Sequence, residues 1–181
     1  MKEHAVLTAM GKDRVGIVDD LSQAILERGC NIEESKMALL GGEFVSILLV
    51  SGAQADVGRL IGELPKLGES IGLAIELKGT EPPHPNAESR PYLLESISLD
   101  TPGIVHAVTR ILRREGVNIE DLETETAAAP WTGAPMFVMK ARIAVPAGLS
   151  ARRLRAELDE LSSEHDLDIR LNPISVAPVD F

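Results

Sequence analysis

The sequence predicts an α+β protein of two similar units, each running strand, helix, strand, strand, helix, strand. Three observations lead there. The string Asp100-Thr-Pro-Gly-Ile-Val-His, closed by Glu115-Gly-Val-Asn-Ile-Glu, occurs earlier as Asp13-Arg-Val-Gly-Ile-Val-Asp, closed by Arg28-Gly-Cys-Asn-Ile-Glu. Gly16 maps to Gly103, 87 residues on, and the offset holds without a gap to Glu33 and Glu120. A repeat of that length, in a chain of 181 residues, means two domains rather than a solenoid. Each copy also carries two apolar stripes at helical spacing, set between strand-like stretches. Finally, residues 79–91 hold four prolines and no apolar pattern, which reads as a linker stiffened toward an extended form.

In the first copy, residues 4–10 read as a strand and 11–14 as a turn. Ile17, Val18, Leu21, Ala24 and Ile25 follow at i, i+3, i+4, i+7 spacing, the buried stripe of a helix. Gly29 ends that helix. Residues 31–40 and 44–50 read as a hairpin about Gly41-Gly42. Val57, Leu60, Ile61 and Leu64 mark a second helix over 56–67, and 73–77 is a closing strand. The second copy repeats this with a strand over 92–99 and a helical stripe at Ile104, Val105, Val108, Ile111 and Leu112. Gly116 caps it, 117–126 and 136–145 are strands, Leu154, Leu158 and Leu161 mark a helix over 150–163, and 168–171 closes. The order is that of a ferredoxin-like fold, an antiparallel sheet with both helices on one face. The predicted domains are 1–78 and 92–174, with the linker at 79–91 and a tail at 175–181. The hairpin loop at 127–135 is six residues longer than its counterpart and carries Trp131, as a contact element or as cover for a sheet edge.

Composition narrows the function. The net charge of −10 opposes direct nucleic-acid binding, which depends on neutralising phosphates. Aromatic content of 3% leaves no stacking platforms. The basic clusters at Arg110, Arg113, Arg114 and at Arg152, Arg153, Arg155 read as solvated helix faces. No apolar run is long enough to span a bilayer and the N-terminus does not read as a signal peptide, so a cytoplasmic protein is expected. Cys30 is the only cysteine, which excludes an intrachain disulfide and a thiolate zinc cluster.

Few residues suggest chemistry. His4, His84, His106 and His165 lack metal-ligand spacing, and no nucleophile, phosphate-loop or zinc-protease motif is present. No catalytic residue, metal or cofactor is expected, and Glu33, Glu34, Glu120, Asp121 and Glu123 read as a polar sheet edge. The strand-to-helix turn is more suggestive. Pro102 suits the first helical position, Asp100 or Thr101 can cap, and Gly103 leaves room for an anion at the helix start. Asn31 and Asn118 each stand two residues beyond the capping glycine. Their amides could hold a ligand ammonium group, or asparagine there only tolerates the turn.

Asp-x-Pro-Gly-Ile at 100–104 with Gly-x-Asn-Ile at 116–119 resembles the ACT domain signature, as does the first copy at 13–17 and 29–32. Two such units with nothing else attached resemble the glycine cleavage system transcriptional repressor family. The resemblance implies a regulator that binds a small amino acid, glycine or similar, at Asp13, Gly16, Ile17 and Asn31 and at Asp100, Gly103, Ile104 and Asn118. It implies pairing of units within a chain or across a homodimer, and action through a protein partner such as a DNA-binding activator. It implies no enzyme activity. The first copy departs from the signature, with Val15 in place of the proline and Arg14 in place of a small residue. The alternatives are a regulatory subunit of an amino-acid or folate pathway enzyme, and a dimerisation module without ligand.

Overall fold

The computed structural model describes residues 2–81, 89–129 and 133–174. The chain divides into two compact units, Met1–His84 and Pro85–Phe181. The first contains β1 (Lys2–Lys12), α1 (Ile17–Glu27), β2 (Asn31–Leu40), β3 (Glu43–Ala53), α2 (Gln54–Ile71) and β4 (Leu73–Thr80). The second contains β5 (Ser89–Leu99), α3 (Ile104–Arg114), β6 (Asn118–Ala128), β7 (Pro135–Pro146), α4 (Ala151–His165) and β8 (Asp168–Pro173). Each unit forms one four-stranded antiparallel sheet, in the orders β2-β3-β1-β4 and β6-β7-β5-β8. The acidic strands β2 and β6 are therefore sheet edges. Two βαββαβ units of ferredoxin-like plan are present, as the repeat predicts.

Alternation puts Ala5, Leu7 and Ala9 of β1 and Phe44, Leu48 and Val50 of β3 on one face, all buried. The helical stripes close over that face through Leu21, Ile25, Leu60 and Leu64. The second core repeats the arrangement around Leu94, Ile143, Leu112 and Leu158. Burying one such side chain contributes about 1.5–3 kcal/mol, so these matched faces dominate the stability of each unit.

Most elements run a few residues past their predicted ends. α2 extends to Ile71 because buried Gly68 lets the helix lie against Leu73 and Ile75, and Gly72, at φ 78°, ends it. The linker also needs correcting. Gly79 and Thr80 pair with Ala5 and His4, and Ser89 to Pro91 pair with β7, so both ends of the 79–91 segment are strand. Pro91 is tolerated because it lies at the end of the β5–β8 pairing, where its carbonyl still accepts from the Ile174 N–H at 3.0 Å and the missing N–H removes only a terminal bond. Residues 82–88, Trp131 and the 175–181 tail lie outside the described residues. No helix among the described residues is long and apolar enough to cross a membrane.

The basic helix clusters are only partly solvated faces. Arg114 bonds Glu157, Arg153 bonds Glu115 at 2.9 Å, and Arg155 donates to the Leu171 carbonyl at 3.0 Å. The first two join α3 to α4, and the third joins α4 to β8. The Glu157 carboxylate, bonded to the Arg114 guanidinium, raises that guanidinium's pKa further.

Candidate ligand site

The two glycine turns have the same geometry. Gly16 has φ 92° and ψ −1°, and Gly103 has φ 98° and ψ −4°. These are the angles of the third residue of a type II turn, where glycine is favoured because φ is positive. Each glycine is the N-cap of its helix, and its carbonyl accepts the first helical bond, from Asp20 N–H and Ala107 N–H at 2.9 Å. This corrects the predicted capping. Pro102 precedes the cap instead of opening the helix, and neither Asp100 nor Thr101 makes a side-chain cap bond. The turn consumes the residues before Gly103, so the helix starts at Ile104. The first-turn N–H groups consequently have no intrahelical acceptor.

Asp13 and Asp100 are exposed beside these turns, held by their own N–H groups to the Gly42 and Pro135 carbonyls at 3.1 Å. Ile17 and Ile104 are buried, so their side chains anchor the helix start to the core and leave only backbone for a ligand.

Each helix ends in a Schellman motif. Cys30 N–H bonds the Ile25 carbonyl at 3.2 Å and Gly29 N–H the Leu26 carbonyl at 2.9 Å. Val117 to Leu112 and Gly116 to Arg113 repeat the pair at 2.8 and 3.1 Å. The positive φ falls on Gly29 and Gly116, and Asn31 and Asn118 are the first residues of β2 and β6. Their identity is not demanded by the turn. A register shift follows each asparagine, between Ile32 and Glu34 and between Ile119 and Asp121, a bulge on the edge strand in both units.

Gly16 and Asn31 lie at opposite ends of the first unit. α1 separates them by about 16 Å at 1.5 Å per residue. The sheet agrees: Asn31 aligns through Ser51 with His4 near the start of β1, while Gly16 follows the end of β1 at Lys12. Eight residues of strand measure about 26 Å. The second unit has the same order, so Gly103 and Asn118 are separated likewise. One small amino acid cannot touch both motif halves of a single unit.

The surroundings of the halves differ between units. Arg14 spans the Gly16 turn, bonding Asp20 at 2.6 Å and the Ile71 carbonyl at 3.3 Å. Asp19 and Asp20 place two acids in the first turn of α1, whereas the first turn of α3 has none. A Cβ on Gly103 would meet nothing within 4 Å. The asparagines differ too. Glu33 accepts bonds from Lys2 Nζ at 2.7 Å and Ser51 Oγ at 2.5 Å. The bond from Lys2, then that from Ser51 and the ammonium charge, hold the Glu33 pKa down to about 2, with Asn31 bonding the same carboxylate. In the second unit Ser89 and Ala144 occupy the places of Lys2 and Ser51, and Glu120 pairs with Arg142 at 3.2 Å. Among the described residues no hydrogen bond engages the Asn118 amide.

Asn31 also borders an open groove of about 450 Å³ between α1 and β2, lined on the helix by Asp19, Ser22, Gln23 and Leu26. Cys30 lies at its base. Burial, then the Asp56 carboxylate, push the thiol pKa up, so it is not a nucleophile at neutral pH. Among the described residues no group of His, Cys, Asp or Glu could hold a metal ion. The Lys2–Glu33–Ser51 cluster carries no signal in the sequence, because cross-strand register creates it.

Residues 3–78 match the ACT domain family. The chain is 28% identical to the glycine cleavage system transcriptional repressor of Escherichia coli (strain K12) over 184 residues, 99% of this chain and 94% of that one. Among solved structures it is similar to an unknown protein from Galdieria sulphuraria, with TM-score 0.80 and 35% identity over 96% of this chain and 99% of the other. It is also similar to a structure provisionally described as a glycine cleavage system transcriptional repressor, with TM-score 0.73 and 27% identity over 96% and 98%. Residues 3–78 form an ACT domain, the second unit repeats its βαββαβ fold, and the chain as a whole resembles the glycine cleavage system transcriptional repressors.

Proposed function

We propose that the protein is an amino-acid-sensing regulator of glycine or related amino-acid metabolism that acts through a protein partner and does not itself grip DNA or catalyse a reaction. The observation that carries this reading is the open glycine turn at Gly103. Unbonded first-turn N–H groups and the positive end of the α3 dipole face solvent there, with no acid in the first turn to compete. An amino-acid carboxylate suits that place. Its ammonium group needs an acceptor, and an asparagine amide oxygen supplies one. Because the two halves stand at opposite ends of one unit, the Gly103 turn and the Asn118 amide of one unit do not meet the same ligand molecule. The second unit's turn is the better receiver, since Arg14 and two acids crowd the first.

Names of the relatives support the regulatory role, and the net charge of −10 supports action without direct DNA binding. The test is a melting screen of the intact protein against the common amino acids, with gel retardation on duplex DNA alongside. A small amino acid should raise the melting temperature, and the protein alone should give no sequence-dependent retardation at physiological salt. A screen in which no amino acid shifts melting would favour a ligand-free dimerisation module instead.

A further inference from the structure

The helix-free face of the first sheet carries a charge pattern complementary to itself. Residues directly opposite across antiparallel strands point to the same side, so register sets this face out in rows. One row reads Glu34, Leu49, Val6, Lys78 across β2, β3, β1 and β4. The next reads Lys36, Ile47, Thr8, Glu76, and a third, Ala38, Val45, Met10, Ala74, carries no charge. Acid and base change sides from the first row to the second, and the two middle columns are apolar except for Thr8. These columns are open: Ile47 is 47% exposed and Met10 55%.

We propose that this face is a homotypic interface, on which a second copy of the chain sits about a two-fold axis parallel to the strands. Such an axis lays β2 over β4 and β3 over β1 of the other copy, at unchanged height. Glu34 then meets Lys78 of the second copy and Lys36 meets Glu76, and each contact occurs twice, as an isologous interface requires. Between them Leu49 meets Val6 and Val45 meets Met10. Strands of the two sheets stay aligned, the ordinary way for sheets to stack. Four strands at about 4.8 Å and eight residues at about 3.3 Å give roughly 500 Å² per copy. The total near 1,000 Å² is at the lower bound for a specific interface, so the dimer dissociates on dilution.

The corresponding face of the second unit does not fit this role. Its middle columns hold Arg142, Lys140 and Glu95 where the first unit has Leu49, Ile47 and Thr8. Stacking there would strip charges of water. The inference rests on the register of the first sheet and is independent of any ligand.

The test is sedimentation velocity of the full chain over a wide concentration range, with circular dichroism to confirm folding. The parent should shift reversibly from monomer to dimer. Ile47→Lys should abolish the dimer by placing a charge in the apolar column. Glu34→Lys and Lys78→Glu should each weaken it by about tenfold or more through two like-charge contacts. Mixing those two variants should restore a dimer, since every facing pair is then opposite in sign. Glu34 and Lys78 lie three strand spacings apart within one sheet, about 14 Å, so this rescue cannot arise inside one chain. A parent that is monomeric throughout, a dimer that survives Ile47→Lys, or a mixture that stays monomeric would each overturn the proposal.

Discussion

Arg14 and Asp20 clasp each other over the first glycine turn, Nη2 to Oδ2 at 2.6 Å, with Gly16 beneath them. The second turn has no equivalent, because Ala107 stands 87 residues after Asp20. The same backbone device therefore carries a lid of side chains in one unit and is bare in the other.

Removing the clasp should alter access more than stability. Both partners are about two-fifths exposed, so the ion pair contributes little, on the order of 0–1 kcal/mol. Arg14→Ala should change urea-unfolding stability by no more than that. With the effector found by the melting screen, calorimetry on a variant that replaces Asp19 and Asp20 with alanine as well as Arg14 should gain a second class of site. An unchanged isotherm would mean that these three side chains do not close the first turn.

At Gly103 the backbone itself is the constraint. A φ of 98° costs a non-glycine residue about 1–3 kcal/mol, and a β-branched one most. Gly103→Val should lower stability and abolish the ligand shift, while Asn118→Ala, on an exposed strand position, should keep the fold and weaken binding. At about 100 times the dissociation constant, ligand should add about 2.7 kcal/mol to the parent, roughly 5–11 °C in melting temperature. Variants that bind as well as the parent would move the site elsewhere.

The Glu33 cluster predicts a pH dependence at acid pH only. Its folded pKa of about 2 is below the unfolded value, so its stabilising contribution is complete above the ordinary glutamate range. That contribution is lost as pH falls through the folded value, in a window from about 4.5 down to about 2. Carbon-detected NMR should show the Glu33 carboxylate titrating near 2, with the Asn31 amide resonances moving together with it. In Ser51→Ala the same carboxylate should titrate at higher pH. A Glu33 midpoint near 4 in the parent would rule the cluster out.

Two glycines outside the turns should respond in opposite directions. A Cβ at Gly11 would lie 2.5 Å from the Gly72 carbonyl oxygen, so Gly11→Ala should destabilise by about 1–3 kcal/mol. Gly58 is exposed in α2 with nothing within 4 Å, so Gly58→Ala should stabilise by about 0.4–1 kcal/mol. Chemical denaturation of the two variants compares them directly.

Much of this protein was determined by local sequence. The repeat, the helical stripes and the glycines at 29, 41, 42 and 116 place every strand and helix within a few residues, because turn conformation and the burial of one face are local demands. The element order then left a ferredoxin-like sheet as the plan for each unit. Tertiary structure decided what lies beside the motifs. Gly16 and Asn31, fifteen residues apart in sequence, stand at opposite ends of a helix. Lys2, Glu33 and Ser51 converge through cross-strand register, which pairs residues far apart in the chain. Helix capping also went to the glycine and not to the expected Asp100 or Thr101, since a glycine turn with positive φ brings the chain from strand to helix. The alternation of each strand was visible in sequence, but the match of Glu34 with Lys78 and of Lys36 with Glu76 appears only when four strands lie in register.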